Sequence, residues 1–214
     1  MPSFYYIFKS LFDRTLSFFL IILLSPLFFF VFISIIFESG KPALYLGNRI
    51  GFKGKTFKIL KFRTMILGAE FHSGGNVTSS NDLRITRFGN VLRKYKLDEL
   101  PQLINVLKGD MSFVGPRPEV KEFVDMYSQK DKEIILSVKP GITDLSSIEF
   151  VQLGEELGSS DDIEIFNIKL EKILERKIEL RKEYVAKRSF LFDFEIIIKT
   201  FIKILQSALW KKSD

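Results

Sequence analysis

From Leu16 to Phe37 the chain runs for 22 residues without a charge, LSFFLIILLSPLFFFVFISIIF. A helix of that length spans about 33 Å and can cross a hydrocarbon layer of about 30 Å. The run is too long for the apolar part of a cleaved signal peptide, and no small-residue cleavage site follows it. Ser25-Pro26 stands near its middle. Proline removes one helical hydrogen bond and crowds the preceding turn, so the helix should kink there. A neighbouring Ser can bond the freed carbonyl, which makes the break tolerable in lipid. Two forms stay open at this point: a helix that spans the bilayer, and one that dips into one leaflet and returns.

Beyond the run the period changes. Ala43 to Leu46 and Thr56 to Phe62 read as short strands around a turn containing Gly51 and Gly54. Residues 68–82, rich in Gly, Ser, Thr and Asn, read as a loop. Leu100, Leu103, Ile104 and Leu107 recur at helical spacing and predict a short helix closed by Gly109. Ile163 to Lys187 reads as a longer charged helix. Phe190 to Trp210 is a second apolar one, with Glu195, Lys199 and Lys203 forming a polar stripe at intervals of four. This last helix suits a membrane interface, with Trp210 and Lys211-Lys212 at headgroup level, or equally a seat on the soluble core. No internal repeat and no interdomain linker stand out.

Composition sharpens this outline. The 214 residues suit one domain, or one domain with an anchor. Many of the 23 Phe fall towards the two ends. With no Cys, disulfides, thiolate zinc sites and cysteine nucleophiles are excluded. The single His72 cannot build a multi-histidine metal site and reads as a loop residue. A net charge of +6 suits an anionic partner. Lys9 and Arg14 precede the apolar run, while Lys41, Arg49, Lys53, Lys55, Lys58, Lys61 and Arg63 follow it, so the part after residue 38 is expected in the cytoplasm.

The candidate chemistry centres on Asp98-Glu99 at the start of the short helix, with Pro101 in its first turn. Carboxylates in that position are commonly caps. Their surroundings suggest more. Arg84, Arg87, Arg93, Lys94 and Lys96 come just before, and Arg117 follows between Pro116 and Pro118, which restrict the backbone around it. A rigidly presented Arg near helix N-terminal amides suits phosphate, and carboxylates beside it could hold magnesium or attack phosphorus. Other chemistries fit less well. Gly51 to Lys55 is too short for a P-loop, and no dinucleotide fingerprint follows a strand. Asp161-Asp162 reads as a solvated helix start. The basic residues lack interleaved aromatics, so nucleic acid is not expected as a partner.

These residues carry a family resemblance. K-S-L-F-D-R at 9–14, L-L-S-P-L at 23–27, F-K-I-L-K-F-R-T-M at 57–65 and N-D-L-R-I-T-R-F-G-N-V-L-R-K at 81–94 belong to the pattern. So do L-D-E-L-P-Q-L-I-N-V-L-K-G-D-M-S-F-V-G-P-R-P at 97–118 and V-K-P-G-I-T at 138–143. The chain resembles the bacterial sugar transferases, also called monotopic phosphoglycosyl transferases, which prime glycan synthesis on polyprenol (undecaprenyl) phosphate. The central block is highly specific, whereas the Ser-Pro pair or the Pro-Arg-Pro triplet alone would be weak.

The resemblance implies a re-entrant helix broken at Ser25-Pro26, with both its ends cytoplasmic, in a monotopic protein of the bacterial inner membrane. It implies that Asp98 is the nucleophile, attacking the β-phosphate of a UDP-sugar, expelling UMP and passing the phosphosugar to polyprenol phosphate. Glu99 would assist through Mg2+ or proton handling, and both carboxylates are candidate metal ligands. Arg93, Arg117, Lys61, Arg63 and, through the same block, Arg87 are expected near nucleotide or phosphate. The expected fold is α+β and helix-rich: a re-entrant membrane helix over 1–38, a cytoplasmic catalytic domain over 39–189, and an interfacial amphipathic helix over 190–214. A non-catalytic membrane adaptor with a basic face is the alternative, which the intact dyad and Pro-Arg-Pro argue against.

Two positions depart from the family pattern. Many members continue V-K-P-G-I-T with G-x-A-Q-V, whereas this chain has Asp144-Leu145-Ser146-Ser147-Ile148. That reads as substrate tuning. An acidic residue common just before the later Tyr-Val pair is not clearly matched, since Arg181 lies near there.

Overall fold

In a computed structural model, which describes residues 3–69, 82–150 and 163–210, the apolar run is a helix with a corner. Helix α1 covers Ser3–Leu23 and α2 covers Ser25–Ser39, with a bend of 64° between them. Pro26 has no N–H for the Ile22 carbonyl four residues back, and Ser25 Oγ donates to that carbonyl instead at 2.8 Å. Among the described residues no single helix is long and apolar enough to cross a membrane. The bent pair meets that measure only when taken together.

Strands β1 (Leu44–Ile50) and β2 (Thr56–Phe62) form an antiparallel hairpin, from Leu44 opposite Phe62 to Ile50 opposite Thr56. The first strand runs four residues past the expected Leu46, through Gly47 and Asn48, which have low strand propensity. Cross-strand pairing sustains it where propensity does not. Next come α3 (Arg87–Lys94), α4 (Gln102–Lys108) and β3 (Ser112–Val114). Three short elements follow, α5 (Lys121–Asp125), α6 (Gln129–Ile135) and β4 (Gly141–Thr143), before α7 (Leu145–Glu149). The last two helices, α8 (Ile163–Lys187) and α9 (Phe190–Trp210), have the bounds expected from the sequence. β3 and β4 pair in parallel, and Gly141 is required there: a Cβ on it would lie 2.1 Å from Gly115 N. The fold is thus α+β, rich in helix, with two small two-stranded sheets.

The core lies in several joined patches. In one, Val31 and Ile35 of α2 pack with Ala43, Phe62 and Leu92, so the arm beyond the bend is built into the floor under α3. In a second, Tyr184 and Val185 of α8 and Ile196 of α9 pack on Val114 and Val138. Helix α1 bonds to the rest of the protein through polar contacts. Lys9 pairs with Asp193 of α9, Ser112 Oγ donates to Asp13, and Ser17 Oγ donates to the Leu103 carbonyl of α4. On α9, Asp193 and Ile196 are buried while Leu191, Phe194 and Phe201 are exposed, so one face is seated and another is apolar and open. The proposed loop over 68–82 lies mostly outside the described residues, and His72, Asp161, Asp162, Lys211 and Lys212 lie entirely outside them.

Candidate active site

The site begins at α3. Thr86 caps the helix by accepting from Gly89 N at 2.9 Å, and Glu38, near the end of α2, accepts from Phe88 N at 2.9 Å. Gly89 brings the helix backbone directly against Thr64: a Cβ there would lie 2.2 Å from the Thr64 carbonyl oxygen. One turn later Arg93 Nε donates to Thr64 Oγ1 at 2.8 Å. The chain then reverses at Lys96, which is left-handed with φ of 56°, and enters a 3-10 turn over Leu97–Glu99.

The dyad therefore does not cap α4. That helix starts three residues later, with Pro101 at its N-cap and no side-chain cap bond. The carboxylates are committed differently. Glu99 accepts from Lys61 Nζ at 3.2 Å and from Arg117 Nη1 at 3.0 Å, and a second bond from Arg117 Nη2 makes that pair bidentate. Asp98 is 8% exposed, and its Oδ1 is buried with no hydrogen-bond partner.

This asymmetry divides the electrostatics. Burial, and then the charge of Glu99, push the Asp98 carboxyl above its ordinary value, against Lys61, Lys96 and Arg93. Burial would raise Glu99 as well, but Arg117 and Lys61 hold it well below the ordinary range. Lys61 is pulled down by burial, with Glu99 opposing. One carboxylate is fixed as an anion by its cations; the other is buried, and the cations near it do not outweigh its burial.

Of the basic residues singled out in the sequence, the fold brings Lys61 and Arg117 onto Glu99, with Arg93 close enough to influence Asp98. Arg63 and Arg87 are placed elsewhere. Arg63 Nη2 donates to the Ser39 carbonyl (2.9 Å), Ser39 Oγ (2.7 Å) and the Gly40 carbonyl (2.6 Å), tying the end of α2 to the hairpin. Arg87 is exposed at the opposite end of α3 from Arg93.

Behind Arg117 lie two residues that the sequence marked only as departures from the family pattern. The Arg117 amide donates to Asp144 Oδ2 at 3.0 Å. Asp144 is fully buried, so it faces the Arg117 backbone from inside the protein. Arg181 Nε lies 3.6 Å from the same oxygen, so the two departures from the family pattern face each other. The available signal was the cap sequence: Asp144 accepts from Ser147 N and starts α7, as Asp before a short helix does.

Among the described residues no three or more His, Asp or Glu side chains gather as a metal site. Mg2+ does not require that. It is commonly held by one or two carboxylates with water and substrate phosphate. Asp98 fits such a role, with a buried oxygen lacking a hydrogen-bond partner. Glu99, with both oxygens engaged by cations, fits it less directly.

Comparison with known proteins agrees with the pattern of the central block. The family described as "Bacterial sugar transferase" matches residues 4–207. The chain is 38% identical over 188 residues to the UDP-N-acetylgalactosamine-undecaprenyl-phosphate N-acetylgalactosaminephosphotransferase of Aeromonas hydrophila, covering 86% of this chain and 40% of that protein. It is 37% identical over 201 residues to the uncharacterized sugar transferase EpsL of Bacillus subtilis, covering 94% of this chain and 89% of that one. It is also 35% identical over 193 residues to the UDP-glucose:undecaprenyl-phosphate glucose-1-phosphate transferase of Escherichia coli, covering 89% of this chain and 39% of that protein. The chain thus spans about two fifths of the Aeromonas and Escherichia proteins and most of the Bacillus one.

Proposed function

The chain belongs to the bacterial sugar transferase family, and from that premise we propose that it transfers a sugar 1-phosphate from a UDP-sugar to polyprenol (undecaprenyl) phosphate, releasing UMP. The observation that carries this reading is the divided dyad, with Glu99 held as an anion by Arg117 and Lys61 beside a buried Asp98 whose Oδ1 is unpartnered. An Asp98 carboxylate oxygen attacks the β-phosphorus of the donor. The bond from that phosphorus to the oxygen bridging the two phosphates breaks, and UMP leaves with the oxygen and its charge. Asp98 then carries the phosphosugar as an acyl phosphate. A phosphate oxygen of the polyprenol phosphate attacks the same phosphorus, and Asp98 leaves as the carboxylate. Arg117, Lys61 and Arg93 offset the charge that gathers at phosphorus in both steps. Mg2+ held at Asp98 would supply further neutralisation of the diphosphate.

Both substrates meet at a membrane in this proposal. The 64° corner at Ser25-Pro26 and the open apolar faces of α1 and α9, including Leu11, Phe19, Leu191 and Phe201, support a re-entrant segment and an interfacial helix. Tyr5 and Phe8 of α1 stack edge-on against Phe190 of α9, which joins those faces into one. The basic stretch from Lys41 to Arg63 supports a cytoplasmic active site at the inner membrane. The division at residues 38 and 189 is part of the same proposal.

The test is UMP release from a panel of UDP-sugars by protein in nanodiscs, with polyprenol phosphate and Mg2+. At least one donor should support turnover, and a chelator should stop it. Asp98→Asn should abolish both turnover and trapping of a labelled phosphosugar. Undiminished UMP release by that variant refutes the nucleophile assignment. No release from any donor by the wild type points instead to an adaptor.

A further inference from the structure

Arg117 meets Glu99 from a segment that is itself gripped from behind. The amide of Arg117 donates to Asp144 Oδ2, and Asp144 also accepts from Ser147 N at 2.6 Å and from Ser146 Oγ at 2.8 and 2.7 Å. All of those donors are uncharged, and a fully buried carboxylate calls for a counter-charge as well. Arg181 of α8 supplies it, with Nε 3.6 Å from Asp144 Oδ2 and the residue only 1% exposed. The far end of the same guanidinium donates to Glu119 Oε1 at 2.6 Å and to the Tyr127 hydroxyl. Glu119 stands two residues beyond Arg117, across Pro118. Arg181 therefore reaches the Pro116–Glu119 segment twice, once through Asp144 to the Arg117 amide and once directly at Glu119.

We propose that Asp144 and Arg181 are positioning residues for the transfer: their buried pair fixes the backbone around Arg117 and so sets where its guanidinium meets Glu99. The proposal rests on the function proposed above and extends it to two residues that, among the described residues, do not hydrogen-bond to the dyad. A pair that only braced α7 and α8 would leave Arg117 where it is. The two prolines make the difference, because a short segment with restricted backbone angles passes a displacement at its amide on to its side chain. The Ile142 carbonyl, which accepts from Arg117 Nη1 at 3.2 Å, lies two residues before Asp144, so the same stretch touches Arg117 at both ends.

The experiment is a double-variant cycle in UMP release, with a second measurement that needs no turnover. Asp144→Asn, which removes the charge while keeping an acceptor, should lower kcat by about 10- to 100-fold, with KM for the UDP-sugar changing by less than about 3-fold. In an Arg117→Ala background the same change should cost less than about 2-fold further, because the residue it positions is gone. In 15N-arginine-labelled protein, the Arg117 Nε–H resonance, assigned by its loss in Arg117→Lys, should move in Asp144→Asn. Losses that simply multiply in the cycle, or an unmoved resonance, overturn the positioning role. If Asp144→Asn does not fold, Arg181→Lys is carried through both measurements to the same criteria. A wild-type protein that releases no UMP from any donor overturns the function proposed above, and the resonance then decides this proposal alone.

Discussion

Adding one methyl group at Gly89 should unseat a cation 4 residues away without touching it. A Cβ there would stand 2.2 Å from the Thr64 carbonyl oxygen and 2.8 Å from its carbon, where ordinary contact begins near 3.4 Å. The shortfall is about 1.2 Å, and both sides of the contact are backbone. Neither side yields easily. The Thr64 carbonyl also accepts from Thr86 N at 3.0 Å, and Glu38 pins the start of α3. The helix must therefore lift, and the 2.8 Å bond from Arg93 to Thr64 Oγ1 would open to roughly 4 Å, beyond hydrogen-bond range. Overpacking costs about 1–3 kcal/mol, and loss of a charge-assisted hydrogen bond about 1.5–3. Alanine regains about 1 kcal/mol of helix propensity, which leaves a net loss of roughly 1.5–5 kcal/mol. A shift of about 1 Å in Arg93 should lower kcat by up to about 100-fold. The assays are UMP release and a denaturant midpoint, with Asn90→Ala, exposed on the same helix, as the control. Gly89→Ala with unchanged rate and stability would refute the seating of α3 on Thr64. Lost stability with an intact rate would refute the part given to Arg93.

Three further outcomes are expected. Burial pushes the Asp144 carboxyl up, but Arg181 and the bonds from Ser147, Arg117 and Ser146 bring it below its ordinary value. A depressed folded-state pKa gives stability that is present above the unfolded value of about 3.9 and lost as pH falls through the folded one. The wild-type midpoint should therefore fall more steeply below about pH 4 than that of Asp144→Asn, and parallel slopes would contradict the account. Asp193→Ala leaves Lys9 only Asp13 at 3.8 Å, leaves Tyr184 only the Val114 carbonyl, and removes the Asp193 acceptor of the Tyr5 hydroxyl, so urea unfolding should show a loss of about 3 kcal/mol. Leu92→Ala, fully buried on α3, should cost about 3 kcal/mol in the same titration, while Val91→Ala beside it, 46% exposed, should cost under about 0.5. Equal losses at 91 and 92 would mean that α3 presents a different face to the core.

Much of this was legible along the chain, for reasons that differ from place to place. The Ser25-Pro26 break could be read because proline's effect is local and Ser25 restores the lost bond within its own turn. Helices α8 and α9 showed their bounds because a long apolar period needs no partner to be visible. Strands β3 and β4 did not: each has three residues, and their pairing joins positions nearly thirty residues apart. The dyad's company was readable in part. Arg117 announces itself between prolines, and Lys61 sits in a distinctive block. Arg63, two residues on, carries the same charge in the same block, yet it faces the end of α2. A strand sends neighbouring side chains to alternate faces, but Arg63 lies just past the end of β2, where that rule lapses. Arg181 was noticed only as a mismatch. Its role depends on Asp144, which is 37 positions away in sequence and 3.6 Å away in space.

The bond from Ser17 to the Leu103 carbonyl bears on a question of height. It joins the helix that leads into the corner at Leu24 to α4, the helix that follows the dyad turn. Catalytic domains hung from a membrane on a flexible tether sample a range of elevations, and their reactive groups meet a surface-bound substrate only for part of the time. This chain has no such freedom between α1 and α4. The distance from the corner to Asp98 is a dimension of the folded protein, as fixed as the spacing within a helix. In the membrane placement proposed above, that fixed dimension would set the elevation at which a lipid phosphate meets the carboxylate.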